Sequence, residues 1–155
     1  MIRAEKEMRD RKEMEQLLRE ANIGRLGMSI GDSPYIIPIN FVYIDGKIFF
    51  HCGKRGKKID IITRNPQVCF EVDEGEIVPK EKPCDYTVKY RSVIATGRAR
   101  IHTKPGDMLE PLKLIVDKYA KGYGAELTKE TVSSYSNLVV VEITINEVTG
   151  KRSPS

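Results

Sequence analysis

Short runs in which apolar side chains recur at every second position constrain the fold of this chain more than any other feature. In residues 24–30 these positions are Leu26, Met28 and Ile30, with polar or small residues between them. This spacing predicts a strand with one buried face, because successive side chains of a strand point to opposite sides. The run ends at a turn sequence, Gly-Asp-Ser-Pro, at residues 31–34.

The next two strands are predicted to form a hairpin. Residues 35–44 are apolar at nearly every position, which predicts a strand covered on both faces. Pro38 within this run favours an edge position or a bulge, because proline has no N–H to donate to a neighbouring strand. Asp45-Gly46 is typical of a two-residue hairpin turn, so residues 47–52 are expected to return as the third strand.

The remaining elements are predicted from similar patterns. Strands are expected at residues 67–72, 90–102 and 138–145, and helices at residues 9–21, 56–63 and 107–121, with Pro111 in the first turn of the last. Residues 73–88 are predicted as a loop and residues 151–155 as a frayed tail. Six strands in hairpin order with about three helices predict an α+β fold, mainly β, in which an antiparallel sheet closes into a barrel.

Length and composition set the limits of this interpretation. The 155 residues are expected to form a single domain, residues 1–155, with its core at about residues 10–150. No apolar run is long enough to span a bilayer, and the first 20 residues are too charged for a secretory signal, so the expected location is the cytoplasm. The cysteines Cys52, Cys69 and Cys84 and the two histidines form no ligand cluster, so no metal site is expected.

The segment with the most chemical content is Phe-Phe-His-Cys-Gly-Lys-Arg-Gly-Lys-Lys, residues 49–58. A strand ends here, a glycine-flanked loop with four basic residues follows, and a helix begins. Free N–H groups at a helix start, together with lysines, suit an anion such as a phosphate, but the same loop can be an ordinary solvated turn. His51 likewise can be the hydrogen-bonding partner of a nearby carbonyl or a reactive group.

A second basic group lies on the long strand: Lys89, Arg91, Arg98 and Arg100. By alternation the first two share one side of the strand and the last two share the other. Such a group can be a solvated face or can bind nucleic acid, but no repeated aromatic platform accompanies it. The chain has no dinucleotide-binding glycine motif, no P-loop and no nucleophile elbow. The residues alone therefore indicate a small β-barrel with an anion-binding loop.

Five ordered segments resemble a known family: GRLG at residues 24–27, PINFVY at 38–43, DGKIFFHC at 45–52, NPQVCFE at 65–71 and YRSVIATGRA at 90–99. They are similar to the flavin-nucleotide-binding branch of the pyridoxamine-phosphate-oxidase-like split barrels, with the nitroimidazole-resistance proteins as the nearest group. The resemblance runs from about residue 10 to Arg152. It implies a six-stranded split β-barrel homodimer that binds FMN, or sometimes FAD, in clefts between the two subunits.

The resemblance also implies which residues hold the cofactor. These are Pro38, Ile39, Asn40, Phe41, Phe50, His51, Cys52, Lys57 and Lys58 from one subunit, and Arg91 and Ser92 from the other. In family members the strand that matches residues 38–41 runs beside the isoalloxazine ring, and the pair that matches Lys57 and Lys58 binds the phosphate. The histidine that matches His51 is associated with the reactive site, so His51 is the candidate catalytic residue.

The expected function is that of a flavin-dependent oxidoreductase acting on a small flat acceptor such as a nitroaromatic, with the flavin carrying the redox chemistry. A non-catalytic flavin carrier or reporter module is the alternative, and a nucleic-acid-binding barrel is a weaker one. The oxidases of the family carry an arginine and a lysine for pyridoxal phosphate beside the flavin, whereas Tyr35 and Asn40 stand near those places here. This difference argues against pyridoxamine-phosphate oxidase activity.

Overall fold

The computed structural model describes residues 4–80 and 86–154. The strands are β1 (Glu7–Met8), β2 (Ile23–Ile30), β3 (Ser33–Asn40), β4 (Val42–Ile44), β5 (Lys47–Gly53), β6 (Gln67–Val78), β7 (Thr87–His102) and β8 (Leu138–Arg152). The helices are α1 (Arg11–Glu20), α2 (Lys57–Arg64), α3 (Pro105–Tyr119) and α4 (Lys129–Ser134), with short 3-10 helices at Ala4–Lys6 and Gly124–Glu126.

The strands form one antiparallel sheet in the order β3-β2-β6-β7-β8-β5-β4, with β1 paired to β8. The two end strands, β3 and β4, are consecutive in the chain and are separated only by Phe41. The sheet therefore curls until its first and last strands meet, which makes a barrel that is split along this seam. The predicted antiparallel split barrel is confirmed, although the described sheet has eight strands rather than six.

One of the two strands beyond the predicted six is β1, and the other arises at Phe41, where the predicted strand 35–44 divides into β3 and β4. The Phe41 side chain is fully buried and its ring lies 4.7 Å from that of Phe70. The Phe41 N–H donates to the Tyr119 hydroxyl at 2.8 Å, and the Phe41 carbonyl lies 2.8 Å from the same hydroxyl. Because these backbone groups are bonded to a helix side chain, the ladder is interrupted there.

The predicted cover on both faces of residues 35–44 is confirmed at residues 41–43, which are all buried, but it is wrong for β3 in the single chain. β3 is an edge strand, and its outward side chains are exposed, Ile36 to 66%. Within β3 only Ile39 and its inward neighbours pack into the barrel, so a single face of this strand is covered. The edge position that Pro38 favoured is confirmed.

Two further predictions fail at strand ends. Much of the predicted loop 73–88 belongs to the β6–β7 hairpin, which extends to Val78 and resumes at Thr87, while residues 81–85, including Cys84, lie outside the described residues. The predicted frayed tail is also partly strand, because Lys151 and Arg152 pair with β7. In both places the strands are largely exposed on both faces, so apolar alternation is absent.

The helices differ from prediction mainly at α3 and α4. α3 begins at Pro105, so Pro111 lies inside the helix rather than in its first turn. α4 was not predicted, and its start is capped by the Thr128 hydroxyl, which accepts from the Thr131 N–H at 3.2 Å. α3 and α4 pack a small apolar cluster, including Met108 and Val132, against the outer face of β5 and β8. None of the helices in the described ranges combines the length and the apolar composition that a membrane crossing requires.

Candidate functional site

The loop between β5 and α2 brings a glycine and four basic residues to the start of a helix. Gly56 precedes α2 with φ of +131°, a conformation that L side chains rarely adopt, and a Cβ there would meet no atom within 4 Å. Within residues 4–80 and 86–154 no side chain caps the first turn of α2, which leaves its N–H groups open to a ligand. The apolar side of α2, which includes Ile59 and Ile62, packs on the barrel. This packing holds the helix in place while its first residue, Lys57, stays exposed at the surface.

Several predicted site residues meet around one cavity, which we call the β3 cavity. Its volume is about 400 Å³, and it is lined by Ile23, Pro38, Ile39, Asn40, His51 and Lys58. The end of β3, the end of β5 and the start of α2 contribute to this cavity together. Asn40 is held by a hydrogen bond from its Nδ2 to the Asn22 carbonyl at 3.0 Å. Apart from Ile23, each lining residue is one that the family resemblance implied.

His51 lies on the outer face of β5 with its side chain exposed to the cavity. The pKa of its imidazole is lowered because neighbouring protein atoms desolvate the ring and because the Lys58 ammonium lies close by. At pH 7 the ring is therefore neutral and can donate one hydrogen bond and accept another.

The two lysines at the start of α2 do not act as one pair in the single chain. Lys58 lines the β3 cavity, whereas the Lys57 ammonium lies 4.3 Å from the ring centroid of Tyr35 on β3. Such a cation–π contact at an exposed site stabilises by about 0.5–1 kcal/mol. A ligand phosphate can thus meet Lys58 directly, while Lys57 has to leave Tyr35 to reach it.

A larger cavity, which we call the loop cavity, adjoins the β3 cavity. Its volume is about 650 Å³, and it is lined by His51, Cys52, Gly53, Lys58, Ser134, Tyr135, Ser136, Asn137 and Leu138. Cys52 is half-buried, and burial raises the pKa of its thiol, an effect that Lys58 partly offsets. The thiol is therefore protonated at pH 7 and is a weak nucleophile.

Phe41 and Phe50 are core residues in this structure. Their side chains are 0% and 1% exposed and belong to the main apolar cluster. Neither side chain is therefore exposed to a ligand, and the Phe41 N–H is already bonded to the Tyr119 hydroxyl.

Arg91 and Ser92 lie on β7, away from both cavities. The Arg91 guanidinium forms an ion pair with Glu74 at 2.7 Å and a longer one with Glu20 at 3.8 Å. Within one chain the structure does not bring these residues to Lys58, so their predicted role requires a second copy. Lys89 and Arg91 point to the opposite side of β7 from Arg98 and Arg100, as predicted, and so form no single basic stripe.

The sequence analysis missed a cluster at the end of α3 that fixes the β3–β4 junction. The Tyr119 hydroxyl accepts from the Phe41 N–H and donates to either the Phe41 or the Asn22 carbonyl, at 2.8 and 2.7 Å. Lys118 donates to the Ala21 carbonyl at 2.6 Å, and its ammonium lies 4.2 Å from the Phe41 ring centroid. This cluster holds the backbone next to Asn40, but the helical pattern of α3 carries no signal for it.

The pH dependence of stability tests this cluster. Burial lowers the pKa of Lys118 from 10.5 to about 8, so between these values the unfolded chain holds more protons than the native one and stability rises with pH. We expect the unfolding free energy of the wild type, minus that of Lys118→Met, to increase from pH 8 to pH 10.5 in urea titrations. Tyr119 titrates in both proteins and cancels in the difference. A difference that stays flat over this range would show that Lys118 is solvated.

Comparison with known proteins places the chain in a family. A family model described as pyridoxamine 5'-phosphate oxidase matches residues 10–152. A search of curated proteins found no match. Among solved structures, a proposed 5-nitroimidazole antibiotic resistance protein from Bacteroides thetaiotaomicron is 23% identical, with a TM-score of 0.78 over 94% of this chain and 85% of that one.

Two other solved structures have similar folds at lower identity. The flavocytochrome Anf3 from Azotobacter vinelandii is 18% identical, with a TM-score of 0.81 over 96% of this chain and 70% of that one. The FAD and heme binding protein from Mycobacterium smegmatis is 16% identical, with a TM-score of 0.82 over 97% and 74%. At these identities the structural similarity establishes the fold, and the family model establishes membership. The chain belongs to the pyridoxamine 5'-phosphate oxidase family.

Proposed function

We propose that this chain binds a flavin nucleotide, with its FMN moiety in the β3 cavity. The observation that carries the proposal is the convergence of Pro38, Asn40, His51 and Lys58 on one cavity in a chain of this family. The donor set fits the group: Lys58 and the free N–H groups of α2 suit a phosphate, and Pro38 and Ile39 suit a flat ring. Solved relatives of the same fold that are named as FAD-binding proteins support it.

Each residue has a distinct task in this arrangement. Lys58, with Lys57 once released from Tyr35, neutralises the phosphate. The Asn40 amide, fixed by its bond to Asn22, offers a polar group to the edge of the ring, and His51 stands beside it as a neutral donor or acceptor. The bound flavin supplies hydride and electron transfer, while the chain binds and orients it.

We further propose that a second copy of the chain completes the site. A row of outward residues without charge runs across four neighbouring strands, through Ile36, Gly27, Cys69 and Thr96. Exposed apolar faces of this kind on a small protein are typical of contact surfaces. A twofold dimer that buries this face would give two equivalent sites. We assign Arg91 and Ser92 of the other subunit to these sites; Ser92 shares the outward side of β7 with Thr96, and Arg91 lies next to it in the β6–β7 hairpin.

The reaction proposed is the reduction of a small flat acceptor such as a nitroaromatic. The name of the Bacteroides relative supports this choice, and the open β3 cavity leaves room beside a ring. A flavin carrier is the second candidate, because among the described residues no carboxylate lines the β3 cavity or the loop cavity to move protons. Turnover of a reduced nicotinamide with a nitroaromatic separates the two, since a carrier gives none. Strong, salt-dependent binding to a nucleic acid would instead favour the third candidate, a nucleic-acid-binding barrel.

His51 is expected to affect reactivity more than binding. His51→Ala should keep the fold and most flavin affinity and should slow nitroaromatic reduction by at least about tenfold, because a placed proton donor contributes 10² to 10⁴ in rate. His51→Gln, which keeps a hydrogen-bond donor, serves as the comparison. The measurements are flavin titration, circular dichroism and steady-state turnover. An unfolded His51→Ala protein would instead assign the ring a packing role.

A further inference from the structure

Residues 134–137, which form the end of α4 and the loop to β8, place four polar side chains next to the end of β5. β8 pairs with β5 in a register that sets Leu138 opposite Gly53 and Val140 opposite His51. The loop before β8 is held next to β5 by a hydrogen bond from the Lys54 N–H to Asn137 Oδ1 at 3.1 Å. The end of β5 and residues 134–138 of the same chain therefore enclose the loop cavity together.

The loop cavity and the β3 cavity share two residues, His51 and Lys58. Their volumes, about 650 and about 400 Å³, both fall within the usual range for small-molecule sites, about 300–1,000 Å³. Because Lys58 and His51 line both cavities, a ligand that fills the two would contact these residues between its ends. A cation at this position favours a ligand that is anionic at its middle.

The lining of the loop cavity suits a nucleoside. Tyr135 is 60% exposed, and an exposed aromatic side chain can stack on any base. Ser134, Ser136 and Asn137 carry hydroxyl and amide groups that can bond a sugar. Gly53 has no side chain, so a ligand can approach the backbone of β5 closely.

We propose that the loop cavity receives the adenosine half of FAD, with the pyrophosphate at Lys58 and the flavin half in the β3 cavity. The chain would then prefer FAD to FMN, with Tyr135 as the residue that sets the preference. This inference rests on the proposed function, since it requires a flavin in the β3 cavity. It gives Tyr135 and the other residues at 134–137 a role in ligand binding, whereas FMN alone would not reach them.

The test compares the affinities of FAD and FMN by fluorescence titration of the wild type, Tyr135→Ala and Tyr123→Ala. Tyr123 is the matched control, because its side chain is also 60% exposed but does not line the cavity. We expect wild-type protein to bind FAD at least about tenfold more tightly than FMN, the size of effect that base stacking supports. Tyr135→Ala should remove most of this preference and change FMN affinity by less than about twofold, and Tyr123→Ala should change neither.

Equal affinities for FAD and FMN in the wild type would overturn the inference and leave the proposed function standing. A Tyr135→Ala protein that loses both flavins alike, or a Tyr123→Ala protein that shifts the preference equally, would also overturn it. Failure of the wild type to bind either flavin would overturn both the inference and the proposed function.

Discussion

Replacing Lys57 and Lys58 together by alanine is expected to weaken FMN binding by about 100-fold or more, because charge-assisted hydrogen bonds contribute about 1.5–3 kcal/mol each. Riboflavin, which lacks the phosphate, should lose much less. The single variants should differ, since Lys58 lines the β3 cavity and Lys57 lies over Tyr35. Lys58→Ala is therefore expected to account for the larger share. Titration of both ligands by fluorescence gives the comparison.

The control for this experiment is Lys54→Ala with Arg55→Ala. These exposed cations belong to the same loop and change the net charge equally, but they do not line the β3 cavity. They should reduce FMN affinity only slightly. If the Lys57 and Lys58 variants lose FMN and riboflavin to the same extent, the lysines act on folding or on the ring, and the phosphate assignment is wrong.

Mixed dimers are expected to recover flavin binding that each parent variant lacks. Chains with Lys57→Glu and Lys58→Glu should lose FMN, as should chains with Arg91→Glu, because each damages one half of a site shared by two subunits. Refolding the two in equal amounts gives mixed dimers that hold one wild-type and one doubly damaged site. Random pairing makes about half of the dimers mixed, so about a quarter of all sites should bind flavin.

Arg91→Ala should accompany Arg91→Glu in this experiment. Arg91 pairs with Glu74 and Glu20 in its own chain, so a glutamate there would place three carboxylates together and could disturb the fold. A monomer by sedimentation, or mixed dimers that hold no flavin, would contradict the shared site.

The β5–α2 part of the site could be predicted because its signals are local. Asp45 and Gly46 have φ of 47° and 80°, as the hairpin sequence requires. Gly56 and the basic residues likewise follow the apolar strand directly, so the position of α2 is fixed within one residue of the prediction. Local backbone preference and charge were sufficient there.

The other parts of the site depend on contacts between residues far apart in the chain. The division of β3 from β4 is set by Tyr119, which lies 78 positions after Phe41. The loop cavity exists because β8 pairs with β5 in one particular register, and nothing in residues 134–137 indicates that partner. Lys57 lies over the ring of Tyr35 on β3, whereas Lys58 lines the β3 cavity, and no pattern of single residues encodes this difference.

Flavin binding by the purified chain is the central claim, and its most direct test is absorption spectroscopy with titration of FMN and FAD. The protein is expected to be yellow when made in cells or mixed with a flavin, and to hold about one flavin per chain, because each subunit supplies one β3 cavity. Binding of neither FMN nor FAD below the high micromolar range would contradict the account.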